Sequence, residues 1–310
     1  MKSWGVGKNP KSIGKRKKPK VAFCLHGIVG GMGGKYGEGD SVEALQLGYN
    51  HYKKFILDYN DCDVFCHTST MERKPEILDL YKPVKSRFTE QPDFKIPHKN
   101  HTGGNAKRTQ GHYHKWWSHK ILSELRNEYE KETGTEYDVV YIGRYDLAWR
   151  VIVDFSYFDL TKFYLGNWNR LWKCDSVGRR QGEIPEWEWY NNCRNGTPHN
   201  IDNVPQVNNV ITGLVGYPHN HEGVIDSWAF SNPKLMDIYC KLYDCLDEYV
   251  TREPNKWWNG KSTIYDHCGT ISNHRLIPCH LESEGILDKL DFAFYFHDDF
   301  PVVRRLYRGR

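Results

Sequence analysis

No run of the 310 residues approaches the ~18 consecutive apolar residues of a membrane-spanning helix, and mean hydropathy is −0.73. The basic start is not followed by an apolar stretch, so no secretory signal is visible. The nine cysteines, at positions 24, 62, 66, 174, 193, 240, 245, 268 and 279, form no Cys-x-x-Cys pair. That odd, scattered set argues against a disulfide framework and for mostly free thiols in a reducing, cytoplasmic setting. A zinc site assembled from distant Cys and His stays open as an alternative. A Gly-Lys-Ser/Thr ending is also missing, since Tyr36 follows Gly34-Lys35; this excludes a Walker-type nucleotide loop. Nor does the body of the chain carry an excess of positive charge. Residues 1–20 hold eight Lys or Arg and no acid, so the net +4 of the whole becomes −4 without them. A nucleic-acid-binding face is therefore not expected. Residues 1–19 are expected to be a solvated, disordered basic leader, with residues 20–310 forming one domain.

Aromatic residues are plentiful, at 14% with 11 Trp and 20 Tyr, enough for a core and for ring faces that meet flat ligands. Strand-like and helical patterns alternate over the first 150 residues. Val21–Leu25 is a candidate first strand, followed by a helix from Val42 to about Tyr59 that Asp40-Ser41 could cap. Asp61–His67 reads as a second strand, Glu76–Tyr81 as a short helix opened by Pro75, and Pro83–Phe88 as a third strand. A polar linker, Gln91–Gly104, leads to a long helix over Thr109–Glu132 and a fourth strand, Tyr137–Ile142. The alternation implies an α/β fold, a mostly parallel, Rossmann-like central sheet with helices on both faces. Residues 20–150 would form one half and 151–310 the other. In the second half the pattern loosens over 166–222. Gly223–Ser231 then reads as a strand broken by Asp226, followed by one helix from Asn232-Pro233 to about Val250. A helical region over Thr263–His274 and a strand over Leu290–Phe296 complete the chain.

Three places carry chemistry. The first strand runs into His26, Gly27, Gly30, Gly31, further glycines and Lys35. Such a loop between a strand and a helix can expose backbone N–H groups to an anion; a merely flexible loop is the plain alternative. Arg144 and Asp146 follow the fourth strand at its carboxyl end, where open α/β sheets place ligands. Their plain alternative is an ion pair that caps the strand. Asp226 interrupts an apolar run between Ile225 and Trp228, where an acid is costly if buried and unpaired; a capping or turn role is its alternative.

Taken together, the ordered set Val-Ala-Phe-Cys-Leu-His-Gly27, Asp63-Val-Phe-Cys-His-Thr, Tyr81-Lys-Pro83, a Gln110-containing segment entering the long helix, Tyr137-Asp-Val-Val-Tyr-Ile-Gly-Arg-Tyr-Asp146-Leu and Asp226-Ser-Trp-Ala-Phe-Ser resembles a group of bacterial, phage and large-virus glycosyltransferase-like proteins with a GT-A type fold. The resemblance covers about residues 20–290. It implies a nucleotide-diphospho-sugar donor at the carboxyl ends of the first strands and a glycan or other hydroxyl acceptor, in the host cytoplasm if the source is viral. His26, Gly27, Gly30, Gly31, Lys35, Arg144 and Asp146 would face the donor, and Asp146 and Asp226 would serve catalysis. GT-A enzymes commonly hold Mn²⁺ or Mg²⁺ through Asp-x-Asp. Here Arg144 replaces the first acid, which leaves Asp146 as the metal ligand and places metal dependence in doubt, because an Arg can neutralise a diphosphate directly. His267, His274 and His280 are candidate late histidine ligands by the same resemblance. Asp226 is the candidate base that takes a proton from the acceptor hydroxyl. The alternatives are a non-catalytic carbohydrate-binding protein on this fold, or another nucleotide-dependent transferase such as a phosphotransferase or sulfotransferase.

Overall fold

A computed structural model of the chain describes residues 18–31, 41–97, 104–167, 172–174, 180–183, 223–251, 256–257, 262–264, 271–295 and 299–304. The leader through residue 17, Lys35 and His267 lie outside the described residues. Strands β1 (Lys20–His26), β2 (Asp61–Thr68), β3 (Lys85–Phe88) and β4 (Val139–Arg144) alternate with helices α1 (Val42–Phe55), α2 (Lys74–Tyr81) and α3 (Gly104–Thr133). The second half adds β5 (Phe163–Asn167), the pair β6 (Trp172–Cys174) and β7 (Arg180–Glu183), and β8 (Trp228–Ser231). It continues with α4 (Pro233–Cys240), α5 (Leu242–Thr251), the pair β9 (Lys256–Trp257) and β10 (Ser262–Thr263), α6 (Asn273–Ser283) and β11 (Leu290–Tyr295).

One seven-stranded sheet runs β11-β5-β8-β4-β1-β2-β3. β1 pairs in parallel with β2 and β4, β2 with β3, and β5 with β11; β8 is antiparallel to β4 and β5. This is the mostly parallel α/β sheet expected from the alternation. Side chains on its strands point to opposite faces in turn, and the sheet is buried on both. Val21, Phe23 and Leu25 pack with Leu45 and Tyr52 of α1 and Ile77 and Tyr81 of α2. Ala22 and Cys24 pack on the other face with Tyr113, Trp116 and Leu122 of α3 and with the apolar faces of α4, α5 and α6. Cys24 and Cys66 are buried free thiols within the strands. Burial pushes the Cys66 thiol up to about 12, partly offset by its contact with Tyr145, so it is a neutral, small apolar group at physiological pH.

Several bounds differ from those read in the sequence. α3 starts five residues earlier than Thr109, and β4 continues through Arg144. Of the apolar stripe Leu235, Ile238, Tyr239, Leu242, Leu246 and Tyr249, all are buried as the spacing predicts except Ile238, which is half-buried, but the single helix is two. They meet at Lys241, whose N–H reaches the carbonyls of Asp237 and Ile238, each at 3.1 Å. Gly223–Ser231 is a strand only from Trp228 onward. Of the helix expected over 263–274, residues 265–270 lie outside the described residues, Thr263 belongs to β10, and the described helix runs over Asn273–Ser283, with Pro278 inside it. Proline ordinarily argues against a helix interior, because it lacks the N–H that would bond four residues back. The acceptor it leaves, the carbonyl of His274, takes the N–H of Val224 at 2.8 Å instead.

Candidate functional site at the switch point of the sheet

Going outward from β1, the sheet is extended by β2 and β3 on one side and by β4 on the other. The gap between β1 and β4 is thus the point where the strand order reverses, which is where open α/β sheets bind ligands, at the strands' carboxyl ends. His26 and Arg144 are register partners there. By the alternation that puts Ala22, Cys24, Val140 and Ile142 on the α3 face, both terminal side chains belong to that face too.

The strand-end half of the site is local. The Arg144 guanidinium clamps Asp146 with two bonds, Nε to Oδ1 at 2.8 Å and Nη2 to Oδ2 at 2.7 Å. The Asp146 side chain is 4% exposed and the Arg144 side chain 36%. The capping ion pair that the sequence left open is therefore present, at the place where a ligand site was expected. Gly30 lies against it. A Cβ at position 30 would fall 2.6 Å from the Asp146 Cβ, so only glycine lets the loop after β1 approach this turn. Gly48 does the same from α1, since a Cβ there would fall 2.1 Å from the carbonyl oxygen of Tyr145. Gly27 turns the chain out of β1 with φ +94°, and the N–H of Val29 donates to Thr70 Oγ1 at 3.1 Å, tying the loop after β1 to that after β2. From the far end of the chain, residues 299–304 run beside 146–150, with Val303 N–H donating to the Asp146 carbonyl at 2.8 Å. This brings Arg304 Nη1 to 3.6 Å from Asp146 Oδ2.

The other half is α3. Arg108, His112, Lys115 and His119 are spaced four, three and four residues apart, and so share one helical face. His112 Nε2 lies 2.8 Å from the Ile271 carbonyl. Lys115 Nζ donates to Asp226 Oδ2 at 2.8 Å and also to the Asp226 carbonyl. His119 and His26, 2% and 4% exposed, meet Nε2 to Nε2 at 3.0 Å. One of the two donates and the other accepts, and each Nδ1 is buried with no hydrogen-bond partner.

Asp226 is placed by the helix with the unusual proline. Val224 and His274 hold each other twice, through Val224 N–H to the His274 carbonyl at 2.8 Å and through His274 Nδ1 to the Val224 carbonyl at 2.7 Å. Next to it, Asn273 Nδ2 donates to Asp226 Oδ2 at 3.2 Å, while Asn273 Oδ1 accepts from Trp116 Nε1 of α3 at 3.0 Å. His274 Nδ1 is 3.7 Å from Asp226 Oδ1. Asp226 is neither a helix cap nor a turn residue; it is an anchored partner of Lys115.

Burial would raise the Asp226 carboxyl, but the charges of Lys115, His274 and Arg144 and the Lys115 hydrogen bond outweigh it and hold the group well below the usual carboxylate range. Burial lowers Lys115, and Asp226 opposes that shift. Burial, then the neighbouring His119, Lys115 and Arg144, push His26 well below its ordinary value; burial and then Lys115 do the same to His119. The site is thus a cluster of neutral imidazoles and fixed charges in which Lys115, Arg144 and Arg304 face Asp146 and Asp226.

His26, Gly30, Arg144, Asp146 and Asp226 of the sequence-read set come together here. Lys115, His119, His112 and Arg304 were not singled out, although the four-three-four spacing on α3 was a readable signal. Arg304 had none, since it arrives only through the folding back of the C-terminal segment. The donor set does not suit a hard divalent cation at Asp146: both carboxylate oxygens are engaged by Arg144, with Arg304 near one of them. His274 Nδ1 is committed to the Val224 carbonyl. His280 lies elsewhere, with Nε2 at 2.8 Å from the Ile238 carbonyl and Nδ1 at 2.9 Å from Tyr249 Oη. Among the described residues, the one group of side chains close enough together to share a metal ion is Cys245, His280 and Glu284, and both ring nitrogens of that histidine are already bonded.

No family model matches the chain, and no curated protein matches it in sequence. Among solved structures it is similar to a nucleoside-diphosphate-sugar pyrophosphorylase from Vibrio cholerae RC9, at 11% identity over 92% of this chain and 95% of that one, with a TM-score of 0.38. A 4-diphosphocytidyl-2C-methyl-D-erythritol synthase from Anaerococcus prevotii DSM 20548 is similar at 9% identity over 92% and 93%, with a TM-score of 0.37. Likenesses at this level carry no argument about what the chain does. Among the described residues, no helix is long and apolar enough to cross a membrane.

Proposed function

We propose that the chain is a glycosyltransferase that moves a sugar from a nucleotide-diphospho-sugar to a hydroxyl of a glycan or other acceptor. The observation that carries this reading is the charge arrangement at the switch point between β1 and β4. Three cationic side chains, Lys115, Arg144 and Arg304, gather around two carboxylates at the carboxyl ends of parallel strands. Such a place suits a diphosphate, whose leaving-group charge needs preorganised cations. Arg144, with its side chain 36% exposed, presents its guanidinium to the diphosphate, and the loop after β1, which meets the Asp146 turn at Gly30, offers backbone N–H groups at Gly27, Gly30 and Gly31. Asp226 accepts the acceptor's proton. In that step the acceptor oxygen bonds to the anomeric carbon, the bond from that carbon to the diphosphate oxygen breaks, and its electron pair leaves with the diphosphate. No step is routed through a metal, because the residues at Asp146 do not fit one.

Calorimetric titration and turnover assays with UDP, GDP, CMP and dTDP sugars, with and without Mn²⁺, test the reading. Arg144→Ala should weaken donor binding roughly ten- to a hundredfold, corresponding to a lost charged hydrogen bond of about 1.5–3 kcal/mol. Asp146→Asn should reduce turnover more than it reduces stability. Wild-type binding and turnover in both variants sinks this location of the site. One observation favours a second reading, donor or glycan binding without transfer: both carboxylates of the cluster are held in ion pairs. Sugar binding without donor hydrolysis or transfer selects it.

A further inference from the structure

Lys115 and Asp226 are unequally anchored. Asp226 is fixed by Asn273, itself held by Trp116, and its backbone follows the doubly bonded Val224–His274 pair. Lys115 reaches it on a flexible four-carbon stem whose ammonium is a movable point charge. Its side chain is 11% exposed, and the charged groups that act on it are Asp226, which attracts it, and Arg144, which repels it. Two cations of one site therefore share the influence of a single carboxylate. A diphosphate brings more negative charge to the same spot than Asp226 can offer.

We propose that Asp226 is a built-in stand-in for the donor's diphosphate on Lys115: donor binding draws the ammonium onto the phosphate oxygens and releases Asp226 to take the acceptor's proton. This rests on the glycosyltransferase reading and assigns its order of events. While paired, Asp226 Oδ2 is occupied by the Lys115 ammonium, which with His274 and Arg144 holds the carboxyl well below the usual carboxylate range; departure of Lys115 frees that oxygen and makes the group a stronger base. Asn273 keeps the carboxylate in place when the pair opens. The donor thereby arms the base, and the acceptor hydroxyl is deprotonated only in a site that already holds a donor. Lys115 becomes a diphosphate-binding residue, and α3 the wall that senses the donor.

The test is a double-mutant cycle read by calorimetric titration of UDP, GDP, CDP and dTDP in buffer with EDTA. Lys115→Met should weaken binding of the preferred diphosphate at least tenfold, with Lys115→Arg recovering most of it. Asp226→Asn should tighten binding severalfold, because Lys115 then loses its carboxylate and keeps only the backbone carbonyl of residue 226 as acceptor. In the Lys115→Met background the same Asp226→Asn change should alter affinity less than twofold, a non-additivity expected only for partners that act through each other. The double variant removes both charges at once, leaves no unpaired buried ion, and keeps the cycle readable if Lys115→Met alone folds poorly; melting curves check each protein. A loss of affinity in Asp226→Asn, no change, or an equal gain in both backgrounds overturns the proposal while leaving the transferase reading standing. Binding of none of the four diphosphates by the unmodified protein overturns both.

Discussion

The turn after β4 and the inner face of α3 supply the site with one acid–base pair each, and the two pairs are built differently. Asp146 is held by Arg144, two residues away in sequence, through two short bonds within one turn. Asp226 is held by Lys115, 111 residues away, across an interface between α3 and a segment that α6 positions. The first pair is a rigid fork-to-carboxylate contact, with a guanidinium that cannot lose its proton. The second is a point charge on a mobile stem. A local clamp fixes the strand end whatever the rest of the chain does. A pair made across the fold can open and close, which suits it to report a ligand.

The largest effect should come from the clamp. Arg144→Ala leaves a carboxylate that is 4% exposed without its main partner, and loss of one member of a buried pair costs about 3–5 kcal/mol. The urea midpoint should drop accordingly, and Arg144→Met combined with Asp146→Asn should recover most of the loss. An unchanged midpoint in Arg144→Ala would erase the distinction between the two pairs.

The junction of the two halves is sensitive to acid. His26 and His119 are held well below their ordinary 6.5, chiefly by burial, and His67 and His112 are pushed down to about 4 by burial and neighbouring arginines. Below pH 6.5 the unfolded chain takes up protons that the folded chain refuses, so stability falls as pH drops from 6.5 toward the folded-state values. From pH 6.5 to 5 each such histidine withdraws up to about 2 kcal/mol. Urea midpoints at several pH values should show this slope, and His119→Gln should flatten it. A slope that His119→Gln leaves untouched would mean that the His26–His119 contact does not hold both rings neutral.

A smaller effect separates position from charge. Gly48→Ala pushes a methyl group toward the carbonyl of Tyr145 and should cost about 1–3 kcal/mol by overpacking. Because it displaces the turn that carries Arg144 and Asp146, it should weaken donor binding without touching Lys115. Ser41→Ala is the control. Its Oγ accepts from the N–H of Ala44 at 3.1 Å as the cap of α1, and its loss should cost about 1 kcal/mol in thermal unfolding while donor affinity stays constant. A change in affinity there would show that the site responds to stability alone.

Sequence alone was sufficient for the sheet in the first half. β-branched and aromatic runs at Val21–Leu25, Asp61–His67 and Val139–Ile142 can be buried on both faces only in a layered α/β arrangement, and the strands lie where those runs are. It also placed Arg144 and Asp146 at a strand's carboxyl end, because that position follows from counting residues past an apolar run. Tertiary structure decided the rest. Pro278 argues locally against the helix that contains it, and the helix persists because Val224, 54 residues away, bonds the carbonyl that proline leaves. The long apolar stripe after Pro233 gives no hint of the break at Lys241, since both helices bury the same face. The partners of Asp226 and the arrival of Arg304 at Asp146 come from elements remote in sequence. Short-range chemistry is written in adjacent residues, whereas a charge pair between distant segments exists only after the core has closed and brought its two halves within reach of a hydrogen bond.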